Sequence, residues 1–402
     1  MTVAKEHGLE TLGITFPLGF RAAGVVAGIS TVADKRDVAL VVNDGPLDVG
    51  AAVFTSNRFS AAPVQWSRTV VANGTVKAVL LNSGGANACT GKPGYEDAVA
   101  SARHAAALLG ARPEDVLVCS TGLIGERLPM QNLLAGTELA ADELGRSSEH
   151  GLNTAQAIMT TDTVPKYVGT EVKSGSGSYR VAGMAKGAGM LAPGLATMLA
   201  VVTTDAVLSP EQADRALREA VRLSFNRVDS DGCMSTNDTV SLLASGASGV
   251  VPDEQEFVQA LTKVCAELGR QLIADAEGAS HDITVRTVNA ATESDANEVS
   301  RAVSRSNLFK CAIFGNDPNW GRILSEVGTT SAAFEPEAVN VSINGVQVCA
   351  GGGIGEDRSL VNLGSTREVL VEIDLAAGSC EASILTNDLT HAYVEENSAY
   401  SS

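Results

Sequence analysis

Aromatic residues are scarce in this 402-residue chain, with nine phenylalanines, five tyrosines and two tryptophans, so long aromatic platforms are not available. Positive charge is also short: 29 Lys and Arg stand against 47 Asp and Glu, a net charge of −18. Binding a nucleic-acid backbone needs clustered Lys and Arg, which makes such a partner unexpected. The same field repels an anionic membrane surface. Only five histidines occur (His7, His104, His150, His281, His391), none in an H-E-x-x-H or H-x-x-x-H pair, and no cysteine lies at ligand spacing. Metal-assisted hydrolysis is hard to build from that set. The seven cysteines stand singly, without a C-x-x-C pair, and read as buried thiols of a reducing cytosol. Residues 1–20 contain no apolar stretch of the kind a signal peptide needs, and a cytoplasmic location is expected. Between Lys186 and Asp205 no residue is charged, yet Gly187, Gly189, Pro193 and Gly194 interrupt the run, and a membrane span is not expected. There is no G-x-S-x-G elbow for a hydrolase triad either.

What is present is apolar material for a large core, 45% of the chain, and a length that predicts two packed lobes. Forty glycines point to tight turns and small-residue packing. Apolar β-branched runs predict strands over 37–42, 76–81, 116–119, 197–203, 282–288, 339–343, 346–349, 369–373 and 381–385. Asn344-Gly345 between two of them has the composition of a type I′ hairpin turn. Helices are predicted over 96–109, 129–143, 150–159, 210–225, 253–276 and 296–308. The fourth carries a clear start signal, with Ser209 as cap, Pro210 in the first turn and Gln212 completing a capping box. Long helices mixed with hairpin-linked strands predict an α+β layered sandwich rather than a parallel doubly wound sheet. By composition 171–178 reads as a flexible loop, and lobe boundaries are placed near 197 and 280.

Two segments resemble ligand loops and fail. Residues 85–93 approach a phosphate loop, but five residues separate the glycines and Pro93 occupies the hydroxyl position. Asp229, Asp231 and Gly232 suggest calcium, but the glycine comes too early for an EF-hand, so a turn rich in Asx hydrogen bonds is expected. The remaining candidate is the segment from Lys186 to Asp205, where a Gly- and Pro-rich approach meets an apolar strand beginning at Thr197. On spacing alone, an ordinary strand threonine is the better reading of Thr197 than a nucleophile.

Seven blocks in order carry a wider resemblance: Asn82-Ser-Gly-Gly-Ala-Asn-Ala-Cys-Thr-Gly91, Ser120-Thr-Gly-Leu-Ile-Gly125, Met159-Thr-Thr-Asp162, the 186–197 segment, 229–239, Asp317-Pro-Asn-Trp-Gly-Arg322 and the terminus from His391 to Ser402. Through them the chain resembles the ornithine acetyltransferases, the bifunctional glutamate N-acetyltransferases of arginine biosynthesis, from about residue 13 to its end. The resemblance implies an αββα sandwich with N-terminal-nucleophile chemistry and a smaller C-terminal α/β lobe. It implies self-cleavage between Ala196 and Thr197, giving an α chain of residues 1–196 and a β chain of 197–402, assembled as two copies of each. Thr197 is then the nucleophile, with its own freed amine as base. The resemblance gives Thr121 and Gly122 the oxyanion and gives the substrate Thr161, Lys186, Thr197, Glu277, Asn397 and Ser402, with Thr160 the alternative to Thr161. The implied reaction moves the acetyl group of N2-acetyl-L-ornithine to L-glutamate, with acetyl-CoA a further donor in some members and no metal, nucleotide or redox cofactor. The rival expectations are an amide hydrolase or aminopeptidase with the same nucleophile, and an uncleaved, non-catalytic interaction protein.

Overall fold

A computed structural model of the chain describes residues 9–10, 12–175, 177–189 and 198–399. It separates into two units: residues 1–226 with 234–272, and residues 227–233 with 273–402.

The first unit contains two sheets. One has the order β1-β2-β4-β5, from β1 (Phe20–Val25), β2 (Val38–Asn43), β4 (Ala78–Asn82) and β5 (Val116–Ser120). The other runs β3-β9-β8-β7-β6, from β3 (Val49–Phe54), β6 (Lys166–Ser174), β7 (Gly177–Lys186), β8 (Leu199–Thr204) and β9 (Thr239–Ala244). Helices α1 (Ala62–Val70), α2 (Gly91–Leu109), α3 (Met130–Asp142) and α4 (Ser148–Ala157) cover the first sheet. Helices α5 (Pro210–Leu223) and α6 (Glu254–Ala274) lie on the second, α5 against β3 and α6 bringing Leu268 against Gly183 of β7. One apolar cluster joins Val41 and Leu81 of the first sheet to Met184, Val201 and Leu243 of the second. The layers are therefore α, β, β, α. Strands buried on both faces need apolar residues at every position, and β2, β4, β5, β8 and β9 are buried throughout.

The second unit is a single six-stranded sheet of order β13-β12-β11-β14-β10-β15, with β10 (Asp282–Ala290), β11 (Asn340–Ile343), β12 (Val346–Ala350), β13 (Gly353–Ile354), β14 (Glu368–Asp374) and β15 (Cys380–Asn387). Its strands alternate buried and open positions, as in Ile283, Val285 and Thr287, because one face carries the core. Helices α7 (Glu293–Arg305), α8 (Asn307–Phe314), α9 (Trp320–Val327) and α10 (His391–Ala399) complete it. The molecule is thus the expected α+β sandwich with a smaller C-terminal α/β lobe.

Several expectations need correction. Residues 171–174 and 177–178 are strand rather than loop, because β6 and β7 pair from Lys166↔Ala185 to Ser174↔Gly177. Cross-strand hydrogen bonds override the weak strand propensity of glycine and serine there. No lobe boundary falls near 197, since β7 and β8 are neighbours in one sheet. The helix expected over 296–308 is two: Ser306 takes an extended backbone, ends α7 and accepts the Phe309 N–H to start α8. Cys89, Cys233 and Cys311 are exposed rather than buried. Two local signals hold: the Ser209–Gln212 capping box forms, and Asn344 and Gly345 take positive φ (47° and 84°) in the β11–β12 turn. The 229–233 turn holds Asx bonds from Gly232 N–H to Asp229 and from Cys233 N–H to Asp231. Among the described residues no helix is long and apolar enough to cross a membrane.

Candidate active site

Lys186 is the last residue of β7 and is 1% exposed. Burying an ammonium group demands acceptors and counter-charge, and both are there. Its Nζ donates to Thr160 Oγ1 at 2.6 Å and to Thr121 Oγ1 at 3.3 Å, and lies 3.9 Å from Asp162 Oδ2. Asp162 also pairs with buried Lys166 at 2.6 Å and accepts the Gly187 N–H at 2.7 Å. Burial pushes the Asp162 carboxyl up, but the Lys186 and Lys166 ammoniums and the Gly187 N–H outweigh it and hold the group at about 2. Two ammonium groups thus gather at one ionised carboxylate, and an ammonium so placed suits a substrate carboxylate or a developing oxyanion. Accepting a bond from Lys186 also leaves the Thr121 hydroxyl proton free to be donated elsewhere.

Thr121 and Gly122 follow β5, in a turn zipped to the 82–91 loop. The Thr121 N–H donates to Asn82 O, Ala86 N–H to Leu123 O and Gly125 N–H to Ala88 O. Gly122 has φ of +135°, and a Cβ there would lie 2.4 Å from Gly85 N, so only glycine fits. Asn237 clamps both strands of the zipper, its Nδ2 donating to Ala86 O at 2.6 Å and Ser120 O at 2.8 Å.

The next residue, Asp238, is wholly buried and accepts the Met198 N–H at 2.9 Å. Burial raises its carboxyl well above the usual carboxylate range, against the pull of the Met198 N–H, the nearby Ser235 hydroxyl and the Lys186 ammonium. Met198 is further tied by its carbonyl to the Thr239 N–H, and Lys186 stands opposite Leu199 in the β7–β8 register. Ala196 and Thr197 themselves lie outside the described residues.

In the second unit Glu277, 9% exposed, accepts the Asn397 amide at 2.7 Å. The link is made by α10 closing on the 277–281 segment: Thr390 Oγ1 donates to Gly278 O, and a Cβ at Gly278 would lie 2.5 Å from Tyr393 N. Ser402 lies outside the described residues.

The sequence-derived residues thus fall into two groups, Thr121, Gly122 and Lys186 in one unit, Glu277 and Asn397 in the other. The hydroxyl that meets Lys186 is that of Thr160, the alternative to Thr161. Sequence reasoning missed Lys166, Asn237 and Asp238, and quoted Asp162 only as part of a motif. Three of these lie in or beside the quoted blocks at 159–162 and 229–239, and that grouping was the available signal.

The profile of the ArgJ family matches residues 21–402. The Arginine biosynthesis bifunctional protein ArgJ of Thermobifida fusca is 60% identical over 97% of this chain and 100% of its own length. The protein of that name from Mycobacterium leprae is 49% identical over 100% of this chain and 98% of its own. Among solved structures, ornithine acetyltransferase from Mycobacterium tuberculosis, complexed with ornithine, is 50% identical, covering 46% of this chain and 97% of that one with a TM-score of 0.44. The family profile and the full-length relatives together define a protein of arginine biosynthesis. The chain belongs to the ArgJ family.

Proposed function

We propose that the chain is a self-processing acetyltransferase that carries the acetyl group of N2-acetyl-L-ornithine to L-glutamate on Thr197. The observation that carries this reading is the Lys186 ammonium held between the Thr121 and Thr160 hydroxyls at the end of β7, directly before the segment that contains Thr197. In the precursor the Thr197 hydroxyl attacks the Ala196 carbonyl, and water opens the resulting ester. Cleavage gives chains 1–196 and 197–402 and frees an α-amine whose ordinary pKa is about 7.7–8.0. That amine takes the hydroxyl proton as Thr197 Oγ attacks the acetyl carbonyl. The Thr121 hydroxyl and Gly122 N–H stabilise the oxyanion. Ornithine departs with the proton, and the glutamate amine then attacks the ester to give N-acetyl-L-glutamate and regenerate Thr197. Lys186 receives the α-carboxylate of either amino acid, with the Thr160 hydroxyl on its Nζ and Thr161 a further substrate contact. Glu277, Asn397 and Ser402 complete the substrate contacts. The working form comprises two copies of each chain in the cytoplasm, and acetyl-CoA is a second donor to be assayed directly.

Intact mass after denaturation, with and without N2-acetyl-L-ornithine, tests the proposal. Two chains that part before Thr197, the C-terminal one gaining an acetyl group, are expected. A single 41.3 kDa chain that gains nothing overturns it. Thr197→Ala should abolish both cleavage and transfer. Acetate in place of N-acetyl-L-glutamate as the product would make the enzyme a hydrolase.

A further inference from the structure

Asp238 is a buried acid that the reaction above does not use. It sits in the loop that leads into β9, and its Oδ1 accepts the N–H of Met198. By covalent structure, that N–H belongs to the peptide whose carbonyl is Thr197's own. The same residue's carbonyl accepts the Thr239 N–H at 3.1 Å, so residue 198 is held on both sides by the 237–239 segment. One position earlier, the Asn237 amide holds Ser120 O, the carbonyl immediately before Thr121. Adjacent residues of one short segment therefore reach the residue after the nucleophile and the residue before the oxyanion donor. Two buried atoms here, Asp238 Oδ2 and Ser120 Oγ, have no hydrogen-bond partner among the described residues.

We propose that Asp238 is a positioning residue for acyl transfer, fixing the Thr197–Met198 peptide relative to the Thr121–Gly122 turn through the Asn237–Asp238 segment. This rests on the assignment of Thr197 as nucleophile. Asp238 acts as an uncharged hydrogen-bonding group. An ionised carboxylate close to a free α-amine would hold that amine as ammonium and remove the base, whereas an un-ionised acid leaves it neutral. Burial favours the un-ionised form. The proton of Asp238 stays on Asp238 throughout, and no step transfers it.

Two variants of the full chain test this. Asp238→Asn keeps a neutral acceptor for the Met198 N–H, and Asp238→Leu keeps the shape without it. Asp238→Leu should lower kcat about 100-fold, the scale of a small misplacement of reacting groups, with KM little changed and self-cleavage slowed. Asp238→Asn should recover most of kcat and keep the wild-type dependence of kcat on pH. Wild-type kcat in Asp238→Leu overturns the proposal. So does an Asp238→Asn protein that is folded but inactive, or whose pH profile has lost a limb, because either makes the acid a proton carrier. If Asp238→Leu does not fold, the Asp238→Asn profile decides alone. Mass detection of the acetyl ester on wild-type Thr197 is run alongside. Its absence sinks the nucleophile, whereas a normal wild-type ester with indifferent variants sinks only the role of Asp238.

Discussion

Asp162 and Asp238 are both buried in the first unit, yet their surroundings drive them in opposite directions. Asp162 meets two ammonium groups and two backbone N–H groups, those of Thr160 and Gly187, and stays ionised to about pH 2. Asp238 accepts one backbone N–H, has the Ser235 hydroxyl and the single Lys186 ammonium acting on it, and is pushed well above the carboxylate range by burial. Burial opposes ionisation in both, so the number of compensating partners decides the outcome. One group is a fixed charge that keeps two lysines buried. Burial favours the un-ionised form of the other, which is the form the proposed positioning role requires.

The sharpest way to break that comparison is to neutralise each acid in turn. Asp162→Asn removes the carboxylate that buried Lys166 and Lys186 share and should cost about 3–5 kcal/mol, read as a lower urea midpoint at neutral pH. The penalty should fade in acid. The folded pKa of Asp162 lies below its ordinary 3.8, so its contribution is present above about pH 4 and is lost as pH falls through about 2. The shift from 3.8 to about 2 corresponds to about 2 kcal/mol of pH-dependent stability. Asp238→Asn should do the reverse. With a raised folded pKa, the wild-type acid contributes fully below about pH 4 and loses that contribution as pH rises. The variant should therefore match or exceed wild-type Tm at neutral pH and lose that advantage in acid. Parallel pH curves for the two variants would remove the distinction between the acids.

Lys186→Gln sharpens the comparison from the cation's side, with a somewhat smaller expected effect. Asp162 keeps Lys166, so Tm should fall less than in Asp162→Asn. Transfer should fall about 100- to 1,000-fold, since Thr121 and Thr160 lose the charge that orients them. A variant with wild-type kcat/KM would take Lys186 out of the site.

Much of the frame was legible in sequence where a local signal sufficed. The start of α5 follows from three residues, and the β11–β12 turn from two. The strands β1 and β3 were not legible, because Phe20-Arg-Ala-Ala-Gly-Val25 and Val49-Gly-Ala-Ala-Val-Phe54 are rich in small residues and buried on both faces, leaving no alternation to detect. The site divides the same way. Thr121, Gly122, Lys186, Glu277 and Asn397 came from a family resemblance, and the structure brings most of them to polar partners. Lys166 and Asp162, four residues apart, have the spacing of an ordinary exposed ion pair. Only the tertiary fold removes them from water. Asp238 sits in a run of Ser, Thr and Asn that reads as a turn, and its burial comes from β8 pairing with β9.

The smallest effect separates these acids from Glu277, a buried carboxyl that accepts from the Asn397 amide rather than from a cation. Asn397→Ala removes the 2.7 Å donor to Glu277 Oε2 and the bond from the same amide to Tyr393 O. An acceptor left without its partner at a nearly buried position costs about 1–3 kcal/mol, and the low end is expected because Asn397 itself is exposed. Neither Asp162 nor Asp238 is touched, so the acid limb of the stability curve should keep its wild-type shape while the whole curve drops slightly. If Glu277 orients substrate, KM for N2-acetyl-L-ornithine should rise several-fold with kcat held, and Glu277→Gln should raise it further. A fall in kcat at constant KM would instead tie the Glu277–Asn397 bond to the chemical step rather than to substrate binding.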